Sequence, residues 1–412
     1  MKVLHVNDTD LRGRAFNGYD LLGDLETRGI KAQQAVLEKA SDDGRVLPLF
    51  TMPSDASLND AIERVEWEHG MCGLLYPWGR VLAATPEFRD ADVVHYHLLH
   101  NRMISVLDLP WLFSQKPSVW TFHDAWPLTG HCIRPVECEG WMRECDPCPF
   151  PQRWFAMKTD CASEMWKVKR DVYSTLDADI VVASPQMLDM VRGSQLGSVF
   201  QRVHMVPFGV DVDAYPPDAS KPDCRERLGI PADDFVVLFR AAVGDVKGTD
   251  VLIEALAEAP PERPTTLVSV DGTGLLKSLE RDYRVIELGW VEDPGAYREV
   301  LCACDLFAMP SPTEAFGLMA LEAMAAGRPV VCVEGTAVAA LVNAPECGSA
   351  VPRGDSKALR AALDGFSADP CDVQRRGGAG RELAATEYRH DRYVDALVAI
   401  YQAAARRGKS LG

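Results

Sequence analysis

The 412-residue sequence has no apolar run of the roughly 20 residues that a membrane span needs. It shows no charged leader followed by an apolar stretch and a small-residue cleavage site. Instead "MKVLHVN" runs straight into a strand-like pattern, so a cytoplasmic location with reduced thiols is the expectation. It also lacks a basic half. Up to residue 205 there are 21 basic against 28 acidic side chains, and beyond it 22 against 32, within a formal charge of −17. That balance argues against nucleic acid as a partner and against electrostatic docking on an anionic membrane. The one basic run, "KVKR" at 167–170, reads as a solvated helix face, with a phosphate contact as the alternative. Collagen-like and disordered biases are missing too, as is any internal repeat; 47% of residues are hydrophobic and 25% charged.

What the chain does have is alternation. "KVLHV", "ADVVHYH", "PSVWTFHD" and "ADIVVAS" read as strands in the first half. "FVVLFRA", "TTLVSV", "RVIELG", "CDLFAMPS" and "RPVVCV" follow in the second, with helical stretches such as "GYDLLGDLETRG" and "GTDVLIEALAEA" between several of them. Strand-then-helix order, with Val- and Leu-rich strands, predicts an α/β fold of parallel sheets buried on both faces. A chain this long suits two cores. Pro, Gly and Asp cluster in "VPFGVDVDAYPPDASKPD", which places the boundary near residue 205. The expected division is 1–205, 206–385, and a C-terminal helix over 386–412 that packs back toward the first domain.

The densest chemistry lies in "CDLFAMPSPTEAFGLMALEAMAAGRPVV". An apolar strand ends in "PSPTE", a helix begins near Phe316 to Leu318 and stops at Gly327, and another strand follows. Gly317 lets the backbone come close to a ligand. The first helical turn offers unpaired N–H groups and the positive end of the dipole to a diphosphate. Glu314 precedes the helix and Glu322 lies more than a turn inside it. A carboxylate there would repel phosphate but can accept hydrogen bonds from sugar or ribose hydroxyls. Two glutamates eight apart arise by chance in so acidic a chain; the whole order of strand, "PSPTEAFG", helix, glycine and strand is the specific signal.

This order resembles glycosyltransferase family 4, whose members carry a Glu-x7-Glu motif here. The resemblance covers nearly the whole chain. "VPFGVDVDAY" is similar to the interdomain "NGVD" segment, with Phe208 where Asn is usual, and "VKGTDVLIEAL" to a Lys-Gly helix start. "VDGTGLLKSLE", "ELGWVEDPGAYREVLCACDLF" and "PSVWTFHDAW" match further family segments. The resemblance implies a GT-B fold, two Rossmann-like doubly wound domains facing a central cleft. It also implies retaining transfer from a nucleotide-diphosphate sugar to a hydroxyl acceptor (a saccharide, a lipid-linked glycan or a natural product), as in polysaccharide biosynthesis. No metal or other cofactor is implied at the reaction centre. His123, Glu314 and Lys247 are the implied catalytic residues. Donor binding falls to Arg240, Lys247, Glu314, Phe316, Gly317, Leu318 and Glu322. The usual Gly-Arg is displaced: Arg240 stands seven residues ahead of Lys247, so either it reaches the phosphate from a shifted loop or Lys247 works with less help.

Each residue also has a plainer reading. Lys247 before Gly248 suits a solvated turn, and His123 a satisfied core histidine. His95, His97 and His100 in "VVHYHLLH" look like metal ligands, but no acid or thiol lies near in sequence, so packing or an acceptor contact is the better expectation. In "NDTDLRGRAFNGYDLL" the residues Arg12, Gly13, Arg14 and Asn17 form a candidate acceptor-side loop or a solvated one. Finally "HCIRPVECEGWMRECDPCP", 131–149, holds Cys132, Cys138, Cys145 and Cys148. A subset of the family resembling bacterial exopolysaccharide transferases shows a similar "HDxWxxTGHC" stretch. Spacings of x5, x6 and x2 suit a closed structural zinc site, with His131 as an alternate ligand; free thiols, labile disulfides and an iron–sulfur cluster are the other readings. Outside transfer, a nucleotide-sugar epimerase and a non-catalytic nucleotide-sugar binder remain open.

Overall fold

The computed structural model describes residues 1–153, 155–215, 220–244 and 246–410. It separates into two units. The first comprises Met1–Pro207 together with the chain from Tyr393 onward; the second is Phe208–Arg392.

The first unit holds seven parallel strands: β1 (Lys2–Val6), β2 (Lys31–Val36), β3 (Val46–Pro48), β4 (Val93–Tyr96), β5 (Ser118–Thr121), β6 (Ala178–Val182) and β7 (Arg202–Met205). Their order across the sheet is β3-β2-β1-β4-β5-β6-β7. The second unit holds six: β8 (Phe235–Ala241), β9 (Thr265–Asp271), β10 (Arg284–Glu287), β11 (Leu306–Met309), β12 (Val330–Val333) and β13 (Gly348–Val351). They are ordered β10-β9-β8-β11-β12-β13. All pairings within both sheets are parallel, which helices on the faces make possible. The α/β expectation of two Rossmann-like sheets therefore holds.

Both sheets are buried by aliphatic and aromatic side chains. In the second unit Phe235, Val237, Phe239, Leu252, Leu267 and Leu306 lie in one cluster. In the first, Trp120, Trp166 and Tyr96 are fully enclosed. The strand order reverses between β1 and β4 in one sheet and between β8 and β11 in the other. Doubly wound sheets bind ligands at such reversals, beyond the carboxyl ends of the strands.

Two sequence readings need correction. The helix expected from Gly18 begins only at Leu21 (Leu21–Thr27), because Gly18, with φ +95°, belongs to the preceding turns. The run 167–170 is not a solvated face throughout. Lys169 is fully buried on the helix Ala162–Tyr173, and its Nζ donates to the carbonyls of Trp126 (2.7 Å) and Thr129 (2.9 Å). It also lies 3.4 Å from the centre of the Trp126 ring. Burial lowers its pKa to about 7.

Candidate functional site

In the second unit, the loops after β8 and β11 bring the expected donor residues together. The Lys247 ammonium donates to Glu314 Oε1 at 2.5 Å, and both side chains are almost wholly enclosed. Lys247 is held there by its neighbour. Gly248 (φ +67°) caps the helix Thr249–Ala257, and a Cβ on it would lie 2.2 Å from the Pro310 carbonyl. A residue with a side chain would push the lysine loop off the β11 loop. The solvated-turn reading of Lys247 is thereby overturned.

The helix after β11 spans Leu318–Ala325, with Gly317 (φ +104°) as its N-cap and no side chain capping it. The first intrahelical bonds are Ala320 and Leu321 N–H to the Gly317 carbonyl. The N–H groups of Leu318 and Met319 precede them and have no acceptor among the described residues, the arrangement that receives an anion. Gly317 has no room for a side chain, since a Cβ would come within 2.8 Å of Val338. Phe316 is packing rather than open loop: its ring meets Phe208 at 5.3 Å and Tyr388 at 6.2 Å. Phe208, which replaces the usual Asn, thus serves to seat Phe316.

Arg240 lies in the body of β8. Its Nε donates to Asp271 at 2.8 Å and its guanidinium sits 5.7 Å from the Trp290 ring centre. It lines a small cavity with Lys247, Met309, Ser311 and Met319. Ser311 Oγ is buried there without a partner among the described residues, a hydroxyl that sequence reading missed although it stands in the quoted "PSPTE".

Glu322 lies on the same helix, one turn beyond its start. Burial pushes its pKa up to about 7, with Arg298 pulling the other way. Tyr215 and Tyr297 feel its charge, the Arg298 guanidinium sits 5.7 Å from the Tyr215 ring centre, and the Tyr297 hydroxyl is buried without a partner among the described residues. Tyr215, Tyr297 and Arg298 were not foreseen; they come from segments distant in sequence. A carboxylate with two phenols and a guanidinium around it can exchange hydrogen bonds with a polyhydroxylated ligand.

In the first unit, three histidines form a file, His5 on β1 and His97 and His123 just beyond the ends of β4 and β5. His5 Nδ1 lies 3.1 Å from His97 Nε2, and His97 Nδ1 lies 2.9 Å from His123 Nε2. Burial keeps all three neutral, with His5 at about 3, His123 at about 4 and His97 well below its usual value. Gly18 presses on this file, because a Cβ there would meet His5 Nδ1 at 2.4 Å. The Phe16 ring stands 5.2 Å from His123. His95 pairs in register with His5 on β1 and β4. Its two nitrogens meet Tyr401 Oη and Thr121 Oγ1, each at 2.7 Å. Ligand atoms of His5, His95 and His97 gather within 4.8 Å. A metal there would have to displace a hydroxyl from one His95 nitrogen and lie in a wholly buried place with no carboxylate or thiolate among those three ligands, which is unfavourable. His100 turns away, to Asp124 at 3.0 Å.

The loop candidates behave differently from one another. Asn17 is sealed, donating to the carbonyls of Thr9, Asp10 and Arg12 and accepting from Tyr19 N–H. It brackets the loop and cannot touch a ligand with its side chain. Gly13 (φ +77°) makes a turn inside that bracket. Arg14 donates to Asp20 at 2.5 Å, and Arg12 is exposed.

The cysteine loop gathers its thiols loosely. Burial and neighbouring thiols raise Cys132 to about 12 and Cys145 to about 11, and burial, Asp160 and Cys138 raise Cys148. Gly130 N–H donates to Cys145 Sγ (3.3 Å), Gly140 N–H to Cys138 Sγ (3.2 Å), and His131 Nε2 lies 3.3 Å from Cys148 Sγ. N–H groups aimed at sulfur suit thiolate ligands. Yet among the described residues the one group of three or more whose ligand atoms all lie within 4.8 Å of one another is His5, His95 and His97. No three of the thiols therefore stand together at the roughly 3.8 Å spacing that zinc–sulfur bonds of about 2.3 Å impose, so zinc would draw the loop in.

Comparison with known proteins agrees with this geometry. Residues 220–383 match the family model Glycosyl transferases group 1. The D-inositol 3-phosphate glycosyltransferase of Xylanimonas cellulosilytica is 32% identical over 253 residues, 58% of this chain and 60% of that protein. The chain thus spans about half to three fifths of the length of such curated relatives. Among solved structures, sucrose-phosphate synthase from Thermosynechococcus elongatus superposes with a TM-score of 0.67 at 18% identity, covering 98% of this chain and 99% of that one. HepE from Anabaena, solved in complex with UDP, gives 0.66 at 16% identity over 98% of this chain and 100% of its own. At these identities the likeness shows the fold, and the fold is of the GT-B type.

Proposed function

We propose that this chain, whose residues 220–383 carry a glycosyl transferases group 1 domain, is a retaining glycosyltransferase. It would take a nucleotide-diphosphate sugar on its second unit and pass the sugar to a hydroxyl acceptor. The observation that carries the reading is the Lys247–Glu314 pair beside the uncapped helix that begins at Leu318 and bears Glu322.

The chemistry follows from charge. Cleaving the sugar–phosphate bond builds positive charge at the anomeric carbon and further negative charge on the departing diphosphate. The Leu318 and Met319 N–H groups, the helix dipole and the Lys247 ammonium are already fixed where that negative charge grows, so they stabilise the transition state more than the ground state. Glu314, tied to Lys247, is suited to hold sugar hydroxyls and to orient the lysine. Glu322 is suited to ribose hydroxyls. The acceptor hydroxyl attacks the face that the diphosphate leaves, and the diphosphate oxygen takes its proton, so no side-chain base and no metal is required. We assign His123 of the first unit to the acceptor side, and a structural zinc to Cys132, Cys138, Cys145 and Cys148.

The test is a hydrolysis screen across UDP-, GDP- and ADP-sugars, with and without a chelator, for wild type and Glu322→Gln. One donor should be turned over, unaffected by chelator, and the variant should lose about tenfold or more through weaker donor binding. No turnover of any donor, or equal turnover by the variant, would sink the assignment.

A further inference from the structure

The file His5–His97–His123 does more than fill space, because it leaves His123 little choice about where its proton sits. Each neutral imidazole carries one N–H, and two ring-to-ring hydrogen bonds link the three rings. Only two orders satisfy both bonds. In the outward order His5 Nδ1–H donates to His97 Nε2 and His97 Nδ1–H donates to His123 Nε2, which leaves the His123 proton on Nδ1. In the inward order His123 donates from Nε2, His97 donates from Nε2, and the His5 proton sits on Nε2.

The far end of the file decides between them. His5 is fully buried and its Nε2 has no hydrogen-bond partner among the described residues. The inward order would leave an N–H donor orphaned in that sealed place. The outward order leaves only an unused lone pair, and orphaned buried donors are the rarer and costlier of the two. Gly18 lies against the Nδ1 edge of His5, where even a Cβ would come within 2.4 Å, so this end of the file is closely packed.

We propose that His5 and His97 are positioning residues that fix His123 as the Nδ1–H tautomer. His123 then meets its ligand as a hydrogen-bond donor and not as a general base. The inference rests on the glycosyltransferase reading for what that donor is used on, an oxygen of acceptor or sugar. It accords with a reaction in which the diphosphate, rather than a side chain, removes the acceptor's proton.

The test is 15N NMR of protein labelled in its histidine rings, read at neutral pH without any donor. The tautomer is therefore decided whether or not the chain turns over a sugar, and failure of the transferase reading stays separate. The ring signals assigned to His5, His97 and His123 should all show protonated Nδ1 and unprotonated Nε2. His97→Phe should shift His123 toward a mixture of tautomers and lower kcat ten- to a hundredfold, with KM within about twofold. His97→Asn, whose amide N–H can reach His123 Nε2, should restore both the signature and most of kcat. A wild-type spectrum with the proton on His123 Nε2 would overturn the proposal on its own, even if a variant failed to fold. So would a His97→Phe protein with unchanged His123 signals.

Discussion

Glu322, to which we assign the donor's ribose hydroxyls, is at the residue scale a carboxylate kept buried at the expense of stability. Its folded pKa of about 7 stands above the ordinary glutamate value of 4.5. As pH rises from about 4.5 to about 7, the unfolded chain gives up this proton while the folded chain keeps it, so stability falls across that window. Glu322→Gln removes the penalty. The variant should match wild type below pH 4.5 and be more stable above pH 7. The gap should be on the order of 1–3 kcal/mol, discounted because Glu322 keeps some contact with solvent. Denaturant midpoints between pH 4 and 8 would show it; a pH-independent gap would mean that ionisation is not its cause. The residues also show what sequence could reveal. Glu314, Gly317, Glu322 and Lys247 stood out because motif order and helix-start chemistry are local. His5 did not, because its partners lie on neighbouring strands, and pairing such as His5 with His95 is made by the sheet and not by spacing along the chain. Lys169 was misread for a related reason: a charge run gives no sign that one member points inward to two carbonyls.

At the scale of elements, strands with continuous apolar runs were legible and the less apolar ones were not. β2, "KAQQAV", buries Gln34, whose amide donates to the Asn17 carbonyl at 2.9 Å, so a polar strand is stabilised by the loop it packs under. β13, "GSAV", begins at Gly348 because a Cβ there would lie 2.0 Å from the Val330 carbonyl, and so small a residue reads as a turn. The cysteine loop is the element to which we assign a structural zinc. Metal analysis should find about one zinc per chain. A chelator should then speed hydrogen exchange across 131–149, with exchange in β5 and β6 little changed. A metal-free protein with a protected loop and full donor turnover would refute the zinc assignment.

For the whole molecule, the C-terminal helix His390–Ser410 matters most. Tyr393, Val394, Leu397, Ile400, Tyr401 and Ala404 form a buried stripe at helical spacing. Tyr401 hydrogen-bonds His95, and Arg407 pairs with Asp179 on β6. A fragment of residues 208–392 has its whole sheet and core and should fold alone. A fragment of residues 1–207 should lack near-UV circular dichroism and slow-exchanging amides until a peptide of residues 393–412 is added. Native-like protection in 1–207 by itself would contradict this.

The same arrangement has a consequence on the ribosome. The first unit is begun first and completed last, since the 185 residues of the second unit are made in between. At about 5–20 residues per second, the nascent first unit waits roughly 10–40 s with the surface meant for that buried stripe still bare. During translation it is this early, unfinished sheet, and not the later second unit, that most needs a chaperone's cover.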